Sequence, residues 1–190
     1  MTQVELDGQR GQAIPDAAVG SLRGSILGEL FTPPDDGYDA ARAVWNAMID
    51  RRPAVIVRAH GVDDVIAAVT FARAHELPIS IRGGAHNVAG HAVGEAGVMI
   101  DLSAMRGVRV DPERRRAWVE GGATWGDVDE ATQPFGLATP GGLISDTGVG
   151  GLTLSGGIGW LRSRHGLSID NLVSAEVVTA DGRVVRASAD

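Results

Sequence analysis

The loop after a short apolar stretch, Ile79–Arg82, combines two adjacent glycines with an arginine and a histidine. Gly83 and Gly84 permit backbone conformations with positive φ and the close approach of another molecule. Peptide N–H groups in such a turn converge on anions, and the guanidinium of Arg82 has the shape to bind phosphate oxygens. We therefore predict that a dinucleotide pyrophosphate binds this loop and that His86 contacts the attached ring system. The alternative is an ordinary tight turn beside a solvated arginine.

A second stretch, Pro140–Trp160, is dense in glycine. Glycine loses much chain entropy on folding and buries little surface, so such a density is unusual for a packed core. Apolar residues such as Leu143 and Leu154 alternate with the glycines, which is unlike a flexible linker. The stretch therefore predicts that a flat or anionic ligand lies against bare backbone, and a long flexible loop is the alternative.

Known nucleotide motifs are incomplete in this chain. Gly148-Val149-Gly150 and Gly157-Ile158-Gly159 both lack the third glycine of the Rossmann fingerprint, and neither follows a clear strand in a βαβ unit. There is no Walker A motif.

Composition excludes several kinds of chemistry. The 190 residues carry a formal net charge of −7, and they include no lysine and no cysteine. Schiff-base lysines, P-loop lysines, disulfides and thiolate metal sites are therefore excluded. An acidic chain with scattered arginines argues against nucleic acid or an anionic membrane as the partner. No apolar run is long enough to span a bilayer, and the N-terminus has no apolar signal region, which predicts a cytoplasmic protein.

The histidines raise the possibility of a metal-dependent hydrolase. His86 and His91 are followed by Glu95. Their spacing fits no single helix face, and no thiolate is present to complete a zinc site, so we predict that the chain binds no metal.

Hydrophobic periodicity and turn signals predict a parallel α/β lobe over residues 21–103, after a loose leader at Met1–Gly20. The strands of a strand–helix–strand unit are parallel, so the Gly83-Gly84 loop leaves the edge of the sheet where ligands bind. The predicted elements are helices at Ser21–Leu30, Tyr38–Asp50 and Gly61–His75 and strands at Ala54–Arg58, Pro78–Arg82 and Val98–Leu102.

The second half, residues 104–190, predicts an antiparallel lobe with helices, so the fold class is α+β. Val108–Asp111 and Arg116–Glu120 form one hairpin, and Val173–Thr179 and Arg183–Ala187 form another. Thr124 has the capping-box spacing that begins a helix.

The glycine loops, taken in order with the elements between them, resemble the PCMH-type FAD-binding domain of the vanillyl-alcohol oxidase/p-cresol methylhydroxylase superfamily. The most similar branch is the berberine-bridge-enzyme-like FAD-linked oxidases. The segments that carry the resemblance are Arg82–Asn87, Val98–Leu102, Gly121–Asp127, Pro140–Trp160, Gly166-Leu167 and Asp170-Asn171.

The resemblance implies that FAD lies between the two lobes and is bound covalently through His86 to its 8α-methyl group. It implies a pyrophosphate loop, a second wall of the FAD channel and a strand at Val178 that approaches the cofactor. The cofactor-binding residues implied in this way are Arg82, Gly83, Gly84, Ala85, His86, Asn87, Val88, Ile144, Thr147, Gly148, Val149, Gly150, Gly151, Leu152, Gly156, Gly157, Ile158, Gly159, Trp160 and Val178.

Two positions depart from the family pattern. Ile144 stands where relatives with doubly attached flavin carry cysteine, so only the histidyl link is expected. Ala85 stands where many bacterial relatives carry a third glycine, and we expect its methyl group to be tolerated.

The resemblance implies an FAD-dependent oxidoreductase that acts on a small molecule with a CH–OH or CH–NH group. Hydride would pass to flavin N5, and O2 would reoxidise the flavin. The substrate domain and the catalytic base are expected beyond Asp190. A non-catalytic FAD- or nucleotide-binding module is the alternative function, and the sequence leaves the oligomeric state open.

Overall fold

A four-stranded mixed sheet is the framework of the computed structural model, which describes residues 14–189. Its strands are β1 (Glu29–Phe31), β2 (Val55–Arg58), β3 (Ile79–Arg82) and β4 (Val98–Asp101), in the spatial order β1-β2-β4-β3. β4 is parallel to both β2 and β3, whereas β1 is antiparallel to β2. The parallel arrangement predicted for the first half is confirmed, and the loop after β3 leaves the carboxyl edge of the parallel strands.

Helix α3 (Val62–Ala74) connects β2 to β3 and covers one face of the sheet. Val57 and Ile100 on that face pack with the buried alanines Ala68 and Ala72 of the helix. Continuous apolar strands of this kind are typical of parallel sheets that are buried on both faces.

The opposite face of the sheet carries a second, smaller core. Ile56 and Met99 point to this side and pack with Tyr38, Ala41 and Val93. The Tyr38 hydroxyl donates a hydrogen bond of 2.7 Å to the Pro53 carbonyl, so its polar group is satisfied although the ring is buried.

The second half contains two antiparallel hairpins and short helices, as predicted. The hairpin β7–β8 lies beside α3, where Gly182 is near the Thr70 hydroxyl. None of the helices within residues 14–189 is long and apolar enough to cross a bilayer. The elements are β5 (Val108–Asp111), β6 (Arg116–Val119), α4 (Trp125–Thr132), α5 (Val149–Leu154), α6 (Arg162–His165), β7 (Ser174–Val178) and β8 (Val184–Ser188), with 3-10 helices at Gln133–Phe135 and Ile169–Asn171.

The N-terminal predictions need correction. Helix α1 covers Asp16–Ser25, so residues 16–20 are helical and not a loose leader, while residues 1–13 of that leader lie outside the described part. The predicted helix at Ser21–Leu30 ends early because the peptide N–H groups of Leu27 and Gly28 donate to the Asp64 carboxylate. This bend lets the following residues enter the sheet as β1.

The predicted helix at Tyr38–Asp50 is also wrong beyond its first turn, because α2 covers only Tyr38–Arg42. The Arg42 guanidinium bonds to the carboxylates of Asp39 and Asp50 and so stabilises the turn at the helix end. Ala43 is extended, residues 45–48 form bends and turns, and Trp45 is 66% exposed, not buried on a helix stripe. Local periodicity was overridden by contacts that the segment makes with the loop after β3.

Candidate cofactor site

Three loops meet at the carboxyl edge of β3 with almost no side chains between them. The first loop contains Gly83 and Gly84, the second covers residues 121–124, and the third covers residues 146–148. A Cβ atom on Gly84 would lie 2.3 Å from the Gly148 nitrogen, and a Cβ atom on Gly83 would lie 3.2 Å from the Gly121 oxygen. Real Cβ atoms do not approach backbone to 2.3 Å, so the contact between the first and third loops requires glycine. The structure therefore brings together the two glycine-rich stretches that the sequence singles out.

Backbone hydrogen bonds join the second loop to the third. The Trp125 N–H donates to the Thr147 carbonyl at 3.0 Å, and the Val149 N–H donates to the Ala123 carbonyl at 2.9 Å. Both bonds flank an isolated antiparallel bridge between Thr124 and Gly148. Two short loops are thus fixed in register although neither belongs to a named strand.

The second loop is fixed further by the N-terminus of α4. Thr124 and Asp127 form the predicted capping box, and the Arg106 guanidinium donates two bonds to the Asp127 carboxylate. The side-chain hydrogen bond from Arg106, together with those from Thr124, lowers the pKa of Asp127 to about 2. Asp127 therefore remains ionised at all ordinary pH values and holds the cap.

Much of the glycine density in Pro140–Trp160 serves packing within the protein, and the predicted contact of the stretch with a ligand stays a prediction. A Cβ atom on Gly141 would lie 2.4 Å from the Trp125 ring, and one on Gly159 would lie 1.9 Å from the Gly141 oxygen. Gly157 is similarly tight against Ser168. These glycines fold the stretch upon itself.

Three glycines of the stretch remain open. A Cβ atom on Gly151 would meet nothing within 4 Å, and those on Gly150 and Gly156 would make ordinary contacts at 3.5 and 3.7 Å. Bare backbone next to a ligand is therefore possible at α5, which begins directly after Gly148.

Ala85 is buried and has a φ of +61°, in the left-handed region that favours glycine. The methyl group therefore carries backbone strain, and its tolerance at this turn stays a prediction. This conformation turns the chain so that the carbonyl of Ala85 accepts a 3.2 Å hydrogen bond from the Trp45 N–H.

Arg82 binds acceptors of the protein itself. Its Nη1 donates to the Ala41 carbonyl at 2.6 Å and lies 3.8 Å from Asp101 Oδ2. Asp101 is fully buried and accepts a 2.9 Å hydrogen bond from Arg58. The predicted contact between Arg82 and phosphate stays a prediction, since its Nη1 is already bonded and its buried Nε has no partner among the described residues.

His86 lies between an aromatic ring and a carboxylate. Its ring stacks on Trp45, with 5.6 Å between centroids and 28° between planes. Its Nε2 lies 3.3 Å from Asp146 Oδ1, and the side chain is 23% exposed. Asn46 reinforces this arrangement, because its amide donates to the Val88 carbonyl at 3.1 Å.

The remaining predicted residues fall into three groups. The first group belongs to the converging loops or to α5 and consists of Asn87, Val88, Ile144, Thr147 and Leu152. Ile158 and Trp160 are exposed on the segment anchored by Gly157 and Gly159. Val178, in contrast, packs its side chain against the core beneath α3, and its approach to a cofactor stays a prediction.

Sequence did not predict three residues of this site, which are Trp45, Asn46 and Asp146. Trp45 and Asn46 were hidden by the helical spacing of their segment. Asp146 immediately precedes Thr147 and Gly148, and its position in the glycine-rich stretch was the available signal.

The structure does not group His86 with His91 and Glu95, the residues of the metal-hydrolase alternative. The described residues contain no group of three His, Asp or Glu side chains that could hold a metal ion. Glu95 accepts a hydrogen bond from the Arg52 N–H, and His86 faces Asp146.

Comparisons with known proteins show the family of the chain. A family model described as an FAD binding domain matches residues 53–188. The chain therefore belongs to this FAD-binding domain family, of the PCMH type and the berberine-bridge-enzyme-like branch.

Individual relatives support the same assignment. The chain is 38% identical over 166 residues, 87% of its length, to (R)-6-hydroxynicotine oxidase from Paenarthrobacter nicotinovorans. The crystal structure of 6-hydroxy-D-nicotine oxidase from Arthrobacter nicotinovorans superposes with a TM-score of 0.84 at 38% identity, covering 86% of this chain. BBE-like 1 from Physcomitrella patens superposes with a TM-score of 0.85 at 27% identity, covering 90% of this chain. The chain spans 36% of the nicotine oxidase sequence, 36% of its crystal structure and 38% of the BBE-like 1 structure.

The geometry fits FAD at three points. The Gly84–Gly148 contact brings two loops together without intervening side chains, and Gly151 leaves backbone open beside them. Ile144 and Trp160 add exposed apolar surface that suits a flat ring. His86 supplies a ring nitrogen at the edge of the same loops.

Proposed function

We propose that the chain is the FAD-binding part of an oxidoreductase and that FAD is attached covalently through His86 alone. Single attachment follows from the absence of cysteine, which leaves no thiol to form a second bond. The observation that carries the proposal is the convergence of the Gly83-Gly84 loop and the Gly148–Gly151 segment beside His86. Oxidases and FAD-linked oxidoreductases among the relatives favour the same class of activity.

When bound, FAD supplies a hydride acceptor at N5 for a substrate C–H next to a hydroxyl or amine, with dioxygen as the final oxidant. The residues of this chain bind and orient the cofactor. Gly150 and Gly151 present peptide groups without side-chain obstruction, and Ile144, Ile158 and Trp160 offer apolar contact to the ring system. We assign the role of catalytic base to none of these residues.

The decisive experiment is an absorbance spectrum of the purified chain incubated with FAD, recorded before and after acid precipitation. Flavin colour that stays in the pellet supports covalent attachment. His86→Ala should retain the fold and release its flavin to the supernatant. A wild-type chain that binds no flavin under any loading condition would overturn the proposal.

A matched pair of alanine variants tests the open backbone separately from folding. Gly151→Ala adds a methyl group where the protein itself leaves space, so it should not lower the thermal midpoint but should weaken FAD binding. Gly24→Ala, in α1, also meets nothing within 4 Å and should likewise not lower the thermal midpoint, while FAD affinity should match that of wild type. Equal FAD affinity in both variants would contradict the proposed ligand contact at Gly151.

A further inference from the structure

We infer that Asp146 and Trp45 position His86 for covalent attachment, with Asp146 holding the proton on Nε2 so that Nδ1 is the atom that forms the bond. This inference rests on the proposed attachment through His86. It concerns two residues that were not predicted as site residues, Trp45 before β2 and Asp146 within the glycine-rich stretch Pro140–Trp160.

The first observation is the placement of the two ring nitrogens. Nε2 lies 3.3 Å from Asp146 Oδ1, which is within ion-pair distance, and the Asp146 side chain is 65% exposed. A neutral imidazole carries its proton on one nitrogen, and a carboxylate beside Nε2 favours that nitrogen. Nδ1 then has a free lone pair. The same logic applies where an aspartate orients a histidine in a hydrolytic triad.

The second observation is a clamp on the backbone of the His86 loop. The Trp45 N–H donates to the carbonyl of Ala85, and the Asn46 amide donates to the carbonyl of Val88. These bonds hold the chain on both sides of His86, while the Trp45 ring stacks on the imidazole. The ring plane is therefore fixed by one residue and the proton position by another.

The chemistry of attachment needs such a partner. A bond forms between Nδ1 and the 8α-methyl carbon while one C–H bond of that methyl group breaks. The methyl proton goes to solvent, and the Nε2 proton, held beside the Asp146 carboxylate while the bond forms, is lost to solvent afterwards. The two electrons of the broken bond remain in the ring system until dioxygen takes them with two protons, giving hydrogen peroxide. Positive charge develops on the imidazole as the new bond forms, and the carboxylate stabilises it.

The protein without flavin provides the first test, using ¹⁵N NMR of labelled histidine. The chain has five histidines, so His86→Ala assigns the signals of His86. We expect wild-type His86 to be protonated at Nε2 when neutral. Asp146→Asn should shift the balance toward a mixture of tautomers, and Asp146→Glu should restore part of the Nε2 form. An unchanged tautomer in Asp146→Asn would overturn the assignment to Asp146.

The second test follows attachment over time, by acid quenching of chain mixed with FAD in air and measurement of flavin fluorescence in denaturing gels. Asp146→Asn should attach flavin at least about tenfold more slowly than wild type, the order expected for loss of one charge-assisted contact. Trp45→Ala should also be slow, and Trp45→Phe, which keeps a stacking ring, should recover. Asp129→Asn, an exposed acid on α4, serves as the control and should match wild type.

The two proposals fail in different ways. If wild type binds flavin but attaches none, the covalent proposal is wrong, and the tautomer measurement still decides whether Asp146 orients His86. If wild type attaches flavin and Asp146→Asn attaches it equally fast, the role of Asp146 is wrong and the attachment stands. NMR of the isolated flavin peptide that finds Nε2 as the modified atom would also overturn the inference.

Discussion

The backbone of Gly84 lies against the backbone of Gly148, so closely that a Cβ atom on Gly84 would come within 2.6 Å of the Gly148 Cα. The contact is reciprocal, because a Cβ atom on Gly148 would lie 2.4 Å from the Gly84 nitrogen. It joins the loop that leaves the parallel sheet to the loop that precedes α5. The cofactor site therefore depends on a glycine–glycine contact within the protein as well as on open backbone facing a ligand.

Gly84→Ala should destabilise the chain, because the neighbouring atoms are backbone and have little freedom to move. Overpacking of this kind costs about 1–3 kcal/mol, which urea denaturation will measure. Gly151→Ala is the matched control: it should leave stability unchanged or raise it by up to about 1 kcal/mol through helix propensity. Equal urea midpoints for Gly84→Ala and wild type would show that the two loops separate easily.

Ala85→Gly should stabilise the chain, since residue 85 has a φ of +61° and glycine adopts this conformation without strain. The expected gain is about 1 kcal/mol. Ala67→Gly, the same change within helix α3, should instead cost about 1 kcal/mol. Thermal denaturation of both variants compares their stabilities with that of wild type. A loss of stability in Ala85→Gly would contradict the proposed backbone strain at residue 85.

Asp64 should be among the most sensitive polar positions. Its carboxylate is only 2% exposed and accepts hydrogen bonds from the peptide N–H groups of Leu27, Gly28 and His60. Asp64→Ala leaves three donors without their acceptor and should cost about 3 kcal/mol or more in the free energy of unfolding.

The neighbouring residue Asp63 provides the control for Asp64. It is exposed in the first turn of the same helix. Asp63→Ala loses only the interaction with the helix dipole and should cost about 0.5 kcal/mol. Similar urea midpoints for the two variants would mean that the bend at Leu27 and Gly28 does not depend on Asp64.

Sequence predicted the three parallel strands of the sheet and the two hairpins well because their signals are local. β2 and β4 are short apolar runs, and each hairpin has turn residues between two alternating segments. The capping box at Thr124 and Asp127 is likewise contained within four consecutive residues. The order of the glycine-rich segments along the chain, which carries the family resemblance, also indicated the loops that converge in the structure.

The failures have a common physical cause. Trp45 has the spacing of a helical stripe, but its N–H bonds to Ala85 and its ring stacks on His86. The partners of Gly141 and Gly159 are likewise fixed by tertiary folding, so a glycine that packs on backbone looks the same in sequence as one that faces a ligand. Contacts between segments distant along the chain decided both cases, and no local pattern reports them.

Acid should weaken the chain partly through Asp127, whose pKa in the folded protein is about 2 because of its hydrogen bonds from Arg106 and Thr124. An unfolded aspartate has a pKa of about 3.9. A carboxyl group whose pKa is lower in the folded state stabilises that state above the unfolded value and loses this contribution as pH falls through the folded value. Asp127 should thus contribute about 1–2 kcal/mol at neutral pH, after allowance for its partial exposure, and this contribution should disappear between about pH 4 and pH 2.

Urea denaturation of wild type and Asp127→Asn across pH measures this contribution directly. The difference in unfolding free energy between the two proteins should be constant above about pH 5 and shrink as the pH approaches about 2. Arg106→Gln should reduce the difference, since it removes the group that lowers this pKa most. Asp129→Asn, on the exposed side of the same helix, should show no comparable pH dependence. If the difference in unfolding free energy between wild type and Asp127→Asn stayed constant down to about pH 2, groups other than Asp127 would account for the acid sensitivity of the chain.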